Sequence, residues 1–374
     1  MQRTARTEPE STPQRIAIFF HDLGIGGAER VMLQLAQGLI EAGHAVDLVL
    51  GHAEGPLRSE VPSNARVIDF DTASPLKMLV KLMRYLRAEK PKALLSPFEV
   101  TSVIAIAAKR ITRVPTRVVV RISVHLSRNK RVKKWKKTVE RLVVSRVYPL
   151  ADGVIAVSQG VAEDLARYAG IPLERIKVIY NPVLSDPRVA AEGQPLPHPF
   201  FADSECPVIL GVGRLTEQKD FFTLLKAFDI LRKKVPSRLI ILGDGEERQA
   251  LEELIQASGL QGLVDLPGFE INPFAFMKRA SLFILSSKWE GLPNVLIQAL
   301  GCGCPVISTD CLSGPSEILK GGEYGALVPV GDVEAMADAM DTVLRGNVRK
   351  PPQGWLDQFT VEAVIPQYES VFGI

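Results

Sequence analysis

The feature that most constrains this chain is the alternation of short apolar, β-branched runs with longer helical stretches. Residues 15–20 and 45–50 have the length and composition of strands, and residues 28–42 between them are predicted to form a helix. Strands that alternate with helices of roughly 10–15 residues form βαβ units, whose strands pair in parallel. The pattern therefore predicts an α/β protein with mostly parallel sheets.

The alternation occurs in two blocks that a proline-rich stretch separates. Residues 181–207 hold six prolines and little periodicity, and because proline ends helices and strands alike they form the predicted linker. The first block adds predicted strands at 66–70, 93–96, 117–122, 153–156 and 177–179. The second block has predicted strands at 208–212, 238–242, 263–265, 281–285, 305–308 and 326–328, and helices at 221–234 and 246–258.

A chain of 374 residues accommodates two domains of ordinary size. We therefore predict two Rossmann-like, doubly wound domains that face each other across a cleft, with ligands at the carboxyl ends of their strands. The predicted N-terminal domain is 15–182, the C-terminal domain is 183–358, and 359–374 form a helix that packs back on the N-terminal domain. Residues 1–14 are polar and lack the apolar stretch of a signal peptide, so a disordered tail is predicted there.

The charge of the chain is divided between its halves. Residues 1–180 carry 29 Lys and Arg against 17 Asp and Glu, whereas residues 181–374 carry 16 against 25. So basic a first half indicates an anionic partner: a membrane surface, a phosphate-bearing acceptor or a nucleic acid. Since no apolar run is long enough to cross a bilayer, the prediction is a cytoplasmic protein that binds peripherally at the inner face of the cell membrane.

The most basic stretch, residues 128–141, has eight cationic side chains, one acid and a tryptophan. A solvated helix face is the ordinary interpretation, but this charge exceeds what solubility requires. A basic amphipathic helix with a tryptophan suits the interface of an anionic membrane. The residues predicted to bind the membrane or the acceptor here are Arg128, Lys130, Arg131, Lys133, Lys134, Trp135, Lys136 and Lys137.

Two loops that follow predicted strands carry residues suited to a phosphate-bearing ligand. In the first, Gly26 and Gly27 open a helix whose N-terminus favours an anion; a tight turn without a ligand is the alternative. Because Glu29 stands where a third glycine would be needed, the pattern G-x-G-x-x-G is excluded. In the second, Arg214 and Lys219 supply cations suited to a diphosphate, with two solvated surface cations as the alternative.

A third loop begins where the predicted strand 281–285 ends and leads through a Gly-Leu-Pro turn into a helix. Backbone amides at the start of that helix suit phosphate oxygens, and Glu290 just before it suits the hydroxyls of a sugar. Alternatively, Glu290 only caps the helix. The other residues predicted to bind the ligand here are Gly291, Leu292, Pro293, Asn294, Val295 and Gln298.

Six segments of the chain together resemble glycosyltransferase family 4, the retaining group 1 glycosyltransferases of the GT-B fold. They are Gly-Gly-Ala-Glu at 26–29, Ile-Tyr-Asn-Pro-Val at 179–183, Gly-Arg-Leu-Thr-Glu-Gln-Lys at 213–219, Gly-Asp-Gly-Glu at 243–246, Trp-Glu-Gly-Leu-Pro-Asn-Val-Leu-Ile-Gln-Ala-Leu at 289–300 and Pro-Val-Ile-Ser-Thr-Asp at 305–310. They occur in the family's order. The resemblance implies that the C-terminal domain binds a nucleotide-sugar donor and that the N-terminal domain binds the acceptor.

The resemblance also implies roles for single residues. Glu290 matches the first acid of the family's E-x7-E motif, which contacts the transferred sugar. Gln298 replaces the second acid, which binds the ribose; it keeps hydrogen bonds but loses a charge-assisted one. Arg214 and Lys219 match the family's diphosphate clamp, which needs no metal or other cofactor. His125, after the strand 117–122, is the candidate for a donor-contacting residue.

Glu99 also ends a predicted strand and is a candidate for acceptor contact.

The predicted function is thus the retaining transfer of a hexose or N-acetylhexosamine from a nucleotide-sugar, UDP-linked by family habit, to a saccharide or polyprenyl-diphosphate-linked acceptor in cell-surface glycan synthesis. A sugar-nucleotide epimerase of the same fold would use that donor without an acceptor. A nucleic-acid-binding protein is disfavoured, because the basic half lacks aromatic side chains interleaved with its cations on which bases could stack. A metal-dependent transferase built on Asp69 and Asp71 would leave the second domain unexplained.

Overall fold

The computed structural model of the protein describes residues 13–24, 26–128, 134–185, 198–352 and 354–374, without the side chains of 128 and 134–139. Its strands, numbered along the chain, are β1 Arg15–Phe20, β2 Ala45–Leu50, β3 Arg66–Asp69, β4 Ala93–Ser96, β5 Arg117–Ile122, β6 Gly153–Ala156, β7 Ile176–Val178, β8 Val208–Val212, β9 Arg238–Leu242, β10 Val264–Gly268, β11 Leu282–Leu285, β12 Val306–Thr309 and β13 Ala326–Val328. The first sheet has the order β3-β2-β1-β4-β5-β6-β7 and the second the order β10-β9-β8-β11-β12-β13, with the paired strands parallel throughout. The predicted α/β architecture of two doubly wound sheets is confirmed.

Helices connect the strands and cover both faces of each sheet. The α-helices of the described residues are Gly27–Glu41, Pro75–Glu89, Glu99–Thr112, Lys134–Val147, Gln159–Ala169, Phe221–Leu231, Arg248–Ala257, Phe274–Met277, Asn294–Gly301, Pro315–Ile318, Val333–Leu344 and Val361–Phe372. Short 3-10 helices lie at Pro56–Glu60, Leu126–Arg128, Tyr148–Leu150, Leu173–Arg175, Pro199–Ala202 and Leu356–Phe359.

Successive side chains of each strand enter two different apolar layers, as the two-residue period of a strand requires. In β8, Ile209 packs in the layer that contains Met336, whereas Leu210 packs in the layer that contains Leu296. All of these side chains are fully buried. Burial on both faces explains why the strands are apolar almost throughout, a property of covered parallel sheets.

The strand order reverses once in each sheet, and this places the loops that carry candidate residues. β1 lies between β2 and β4, and β8 lies between β9 and β11. Loops that leave two neighbouring strands in opposite directions open a crevice at the carboxyl ends of those strands. The two predicted loops of the second half, 213–219 and 286–293, follow β8 and β11 and therefore flank such a crevice.

The last helix, Val361–Phe372, packs against the first half of the chain. Its Val361 and Ile365 lie so close to Gly38 that any Cβ there would collide with them. Glu369 of the same helix lies 2.9 Å from Nε2 of the buried His44. The end of the chain thus completes the core of the first half.

The structure differs from the sequence predictions at a few ends. β10 extends to Gly268 because its register with β9 shifts after Asp265, which adds residues to the strand. The carbonyl of Gln14, placed in the predicted tail, accepts a hydrogen bond from the amide of Ala45 at 2.9 Å. The rest of the predicted tail up to residue 12, and residues 186–197 of the predicted linker, lie outside the described residues.

Candidate functional site

Two loops of the second half meet at the crevice between β8 and β11. The side-chain amide of Gln218 donates a hydrogen bond to the backbone carbonyl of Trp289 (2.9 Å). The backbone carbonyl of Gln218 accepts one from the backbone amide of Lys288 (2.8 Å). The hydroxyl of Ser286 donates to the carbonyl of Lys219 (2.7 Å). These bonds hold the two loops in one arrangement.

An ion pair between Lys219 and Glu290 lies at the centre of these loops. Nζ of Lys219 is 2.5 Å from Oε1 of Glu290, and the hydroxyl of Ser287 donates to the same oxygen at 2.7 Å. The pair is largely sheltered, since Glu290 is 7% exposed and the side chain of Lys219 is 17% exposed. Because both bonds fall on Oε1, Oε2 retains the capacity to accept a hydrogen bond from a ligand.

Glu290 does not cap the helix that follows it. That helix, Asn294–Gly301, has Pro293 at its N-cap position and no side-chain cap among the described residues. The carboxylate of Glu290 faces Lys219 of the neighbouring loop instead. The capping alternative is therefore wrong, and the amides at the start of the helix are available to a ligand.

Arg214, the second predicted cation, lies on the exposed surface of the same loop. Burial raises the pKa of the Glu29 carboxyl in the first half above its usual value, Asp22 adds to the rise, and the charge of Arg214 opposes it. Glu29 folds over Gly26, where any Cβ would collide with its carboxylate. Arg214 therefore lies near the glycine-rich turn of the first half, across the cleft.

Two helix starts face each other at this point of the cleft. Gly27 begins the first helix of the chain, and Asn294 begins the helix after β11. The side-chain amide of Asn294 donates to the carbonyl of Gly27 at 3.4 Å, and a Cβ on Gly27 would lie 3.4 Å from that same amide nitrogen. Helix N-termini carry partial positive charge, so their approach makes a favourable place for a diphosphate.

At Gly291 the backbones of the two halves come into close contact. A Cβ at this position would collide with the carbonyl oxygen of Ser123, which follows β5 of the first half. The carbonyl of Gly291 accepts a hydrogen bond from the hydroxyl of Ser158 at 2.7 Å. The glycine is required here because two backbones from different sheets touch.

The loop that meets Gly291 also carries His125. This side chain is buried, and its Nδ1 lies 3.0 Å from Oδ1 of Asp164 and 3.1 Å from the hydroxyl of Ser127. Burial would raise the pKa of Asp164, but hydrogen bonds from His125 and Ser127 outweigh it, and the pKa lies below its usual value. With Nδ1 occupied, the remaining hydrogen-bonding capacity of the ring is on Nε2.

The other predicted residues of the third loop occupy the same region. Gly291, Leu292 and Pro293 are buried, while Asn294 and Val295 are partly exposed at the helix start. Gln298, one turn further along the helix, is 7% exposed. The structure thus brings together the predicted donor-binding residues of the second half; their individual roles stay predictions.

Glu99 lies in the first turn of the helix Glu99–Thr112, which follows β4 of the first half. Burial, reinforced by the charge of Glu140, raises the pKa of Glu99 to about 7. Burial raises the pKa of the nearby Tyr148, and the charge of Glu99 adds to that rise. The predicted acceptor contact is therefore a sheltered carboxyl on the first half.

The side chains predicted to bind the membrane lie outside the part of the chain whose side chains the structure describes. Residues 129–133, which include Lys130, Arg131 and Lys133, lie outside the described residues. Lys134, Trp135, Lys136 and Lys137 begin the helix Lys134–Val147, but only their backbone is described, as for Arg128 at the end of Leu126–Arg128. Residues 134–141 of the predicted helix are therefore helical, and the orientation of the cations stays a prediction.

Asp69 and Asp71 form a local turn. The amide of Asp71 donates to Oδ1 of Asp69 at 2.8 Å, and the exposed carboxylate of Asp71 lies 3.6 Å from Nδ1 of His52. Among the residues that the structure describes, no three His, Cys, Asp or Glu side chains are grouped so that they could hold a metal ion.

Three residues at the contact between the halves, and Arg121 behind that contact, were given no role in the site by the sequence analysis. Asn181 donates to the side-chain carbonyl of Asn294 at 2.7 Å. Glu317 accepts hydrogen bonds from the amides of Gln159 (2.8 Å) and Gly160 (3.0 Å), and Ser158 and Arg121 complete the set. The Asn-Pro pair at 181 marked the chain crossing, but nothing local in the sequence indicates the other partners.

Comparisons with known proteins agree with this geometry. Residues 25–186 match the family model described as Glycosyltransferase Family 4, and residues 197–353 match the model described as Glycosyl transferases group 1. The N-acetylgalactosamine-N,N'-diacetylbacillosaminyl-diphospho-undecaprenol 4-alpha-N-acetylgalactosaminyltransferase of Campylobacter jejuni is 30% identical over 344 residues, 88% of this chain and 90% of that protein.

Two further proteins show how far the likeness extends. An uncharacterized glycosyltransferase of Methanocaldococcus jannaschii is 40% identical over 176 residues, which are 46% of this chain and 43% of that protein, so this match spans less than half of either. The structure of Anabaena HepE in complex with UDP-glucose has a TM-score of 0.72 at 21% identity and covers 96% of this chain and 95% of that one. At that identity the likeness shows the fold.

Proposed function

This chain belongs to glycosyltransferase family 4, the group 1 glycosyltransferases, and from that membership we propose that it transfers a sugar from a UDP-sugar to a saccharide or lipid-linked acceptor with retained anomeric configuration. The observation that carries the proposal is the sheltered pair of Lys219 and Glu290 beside two facing helix starts. This arrangement offers a cation and backbone amides to a diphosphate, and a carboxylate to sugar hydroxyls.

The substrates of similar proteins support the substrate classes in this proposal. The solved HepE structure holds UDP-glucose, which supports a UDP-linked donor. The name of the Campylobacter jejuni relative describes a diphospho-undecaprenol-linked saccharide as acceptor, which supports a polyprenyl-diphosphate acceptor. A hexose or N-acetylhexosamine is the transferred sugar in this proposal.

In the proposed reaction the bond between the anomeric carbon and the donor phosphate oxygen breaks while the acceptor hydroxyl oxygen bonds to the same face of that carbon. The acceptor proton passes to the leaving phosphate. Lys219, Arg214 and the amides at the start of Asn294–Gly301 stabilise the negative charge that gathers on the diphosphate, without a metal. Preorganised charge of this kind is commonly the largest single contribution to catalysis. Glu290 and His125 orient the sugar.

We further propose that the first half works at an anionic membrane surface. Its segment 77–146 carries 20 Lys and Arg against 3 Asp and Glu. Two apolar side chains are also exposed here, Leu142 of the helix Lys134–Val147 and Val100 of the neighbouring helix Glu99–Thr112. None of the helices within the described ranges is both long and apolar enough to cross a bilayer. Cations beside exposed apolar side chains suit the headgroup region of such a membrane.

The site assignment is tested with Glu290→Ala and Lys219→Ala. Each change is expected to lower kcat for sugar transfer by about 10²–10³-fold, because each removes charge stabilisation or orientation at the reacting centre. The measurement is transfer from a panel of UDP-sugars to a polyprenyl-diphosphate-linked saccharide, after a thermal-shift screen of the same donors, since a bound donor raises the apparent Tm.

Lys288→Ala is the matched control, because Lys288 lies in the same loop but faces Asp220 at 3.7 Å. It is expected to keep near-wild-type transfer. Near-wild-type transfer by Glu290→Ala and Lys219→Ala would refute the site. Conversion of a UDP-sugar to its epimer by the wild type without any acceptor would refute the proposed reaction.

A further inference from the structure

A buried guanidinium lies behind the proposed donor site. Arg121, near the end of β5, is 1% exposed. Its Nε donates to the hydroxyl of Tyr368 at 3.1 Å, and its Nη2 donates to the side-chain oxygen of Asn181 at 2.5 Å. Within the described residues its Nη1 has no hydrogen-bond partner, and no carboxylate forms an ion pair with it. A buried charge with neutral partners alone is costly, so this arginine needs an explanation beyond packing.

The hydrogen bonds continue from Arg121 to the cleft. The amide nitrogen of Asn181 donates to the side-chain oxygen of Asn294 at 2.7 Å, and the amide nitrogen of Asn294 donates to the carbonyl of Gly27 at 3.4 Å. Asn294 is the first residue of the helix whose amides form the proposed diphosphate site. The guanidinium is therefore two hydrogen bonds away from that site.

The chemistry of arginine sets the direction of this chain of bonds. A guanidinium donates and cannot accept, so the oxygen of Asn181 must face it and the amide nitrogen must face Asn294. Asn294 then presents its oxygen to Asn181 and its own amide nitrogen to the first half at Gly27. The carbonyl of Gly27 also accepts only and favours the same orientation of Asn294, but over 3.4 Å, so Arg121, at 2.5 Å from Asn181, is the closer of the two groups that fix the polarity of this chain of bonds.

We propose that Arg121 is a positioning residue for donor binding, which orients Asn294 through Asn181 and adds its charge to the field that holds the diphosphate. The inference rests on the proposed function. It explains why a buried cation has no acidic partner: the anionic donor supplies the missing negative charge when it binds. Asn181 bonds Arg121 of the first half and Asn294 of the second half, so the orientation of Asn294 depends on both halves.

The test compares UDP binding and donor kinetics of Arg121→Met with those of the wild type. A unit charge about 10 Å from a phosphate, at an effective dielectric of about 20, corresponds to roughly tenfold in affinity. We therefore expect the Kd for UDP, measured by calorimetry, and the KM for the UDP-sugar to rise on the order of tenfold, with the acceptor KM unchanged. Arg121→Lys, which keeps the charge but not the fork, is expected to recover part of the loss.

Two further variants separate positioning from a structural role. Tyr368→Phe removes the contact of the same guanidinium with the last helix, on the side of Arg121 that does not lead to the cleft; it is expected to lower Tm and leave the UDP Kd unchanged. Asn181→Ala breaks the chain at its middle and is expected to raise the UDP Kd, and adding Arg121→Met to it is expected to raise the Kd by less than Arg121→Met does in the wild type, because only the contribution of the charge is left to lose. Asn181→Ala also serves as the test if Arg121→Met does not fold.

An unchanged UDP Kd in folded Arg121→Met or Asn181→Ala would overturn the inference. So would an equal rise of the UDP Kd in Tyr368→Phe, since that would mean that any loosening of the guanidinium acts alike. These results are distinct from a failure of the proposed function, which would appear as a wild-type protein that binds no UDP and transfers no sugar.

Discussion

At the scale of single residues, Asp47 of β2 is a buried carboxylate that several side chains share. Its side chain is fully buried, with Arg15 at 2.8 Å and Arg66 at 2.9 Å on Oδ1, and Arg66 at 2.5 Å and the hydroxyl of Tyr85 at 2.6 Å on Oδ2. Burial alone would raise the pKa of Asp47, but these partners hold it below its usual value. One side chain in β2 thus joins β1, β3 and the helix Pro75–Glu89.

We predict that Asp47→Asn lowers the free energy of unfolding at pH 7 by about 2–4 kcal/mol, because two arginines lose the charge that pairs them. A carboxylate whose pKa is lowered on folding stabilises the protein above its ordinary pKa, and that stabilisation disappears as the pH falls through the folded value. The difference between wild type and variant is therefore expected to be constant from about pH 7 to 5 and to close below about 4. Urea unfolding at each pH measures it, with the exposed Asp71→Asn as the neutral control; a difference that persisted at pH 2 would contradict the assignment.

At the scale of elements, the start of the helix Gln159–Ala169 joins the two halves. Ser158 caps this helix by accepting from the amide of Val161 at 3.2 Å, and Glu317 of the second half accepts from the next free amides. A carboxylate is favoured at a helix N-terminus because unpaired amides and the helix dipole both attract it. Burial and the charge of Glu317 raise the pKa of Tyr180, which also lies at this contact, to about 12.

Glu317→Gln is predicted to weaken the contact between the halves by about 1–3 kcal/mol, because one amide of the helix start then faces an NH₂ group instead of a carboxylate oxygen. The expected result is a larger radius of gyration of the ligand-free protein in small-angle scattering and a lower kcat. Glu323→Gln is the control, since that exposed carboxylate pairs with Lys320 of its own half. A radius and kcat equal to those of the wild type would show that other contacts suffice to keep the halves together.

At the scale of the whole molecule, the division of charge orients the protein. The first half has an excess of cations and the second an excess of acids. The cations concentrate around the helix Lys134–Val147, and Leu142 of this helix is exposed. An anionic surface would therefore attract the first half and leave the second half, which holds the proposed donor site, facing the solvent.

We predict that the full chain floats with phosphatidylglycerol vesicles at physiological salt and does not float with phosphatidylcholine vesicles. The triple variant Lys134→Ser, Lys136→Ser and Lys137→Ser is expected to lower binding by up to about a hundredfold, because each cation near the surface contributes about 1 kcal/mol. The matched control removes the same charge from the second half with Lys226→Ser, Lys233→Ser and Lys234→Ser. Equal loss in both triple variants, or no flotation of the wild type, would rule out a specific membrane face.

The sequence by itself determined the strands, the two-sheet class and the loops that carry chemistry. Strand and helix periods are local properties, so β1, β2, β5, β8 and β9 have the bounds that were predicted for them. Residue type and position favoured Lys219 as a cation for a diphosphate, whereas Glu290 was selected by the resemblance to the family's motif, since by residue type alone helix capping was the ordinary interpretation.

Only the tertiary structure decided which of these residues meet. Lys219 and Glu290 are 71 positions apart, Asn181 and Asn294 are 113 apart, and Gln159 and Glu317 are 158 apart. Such pairs depend on the order of strands in each sheet and on the way the halves close, and neither is encoded in a local period. Arg121 shows the limit most clearly, because in the sequence it is one more cation in a basic stretch, whereas in the fold it is buried behind the cleft.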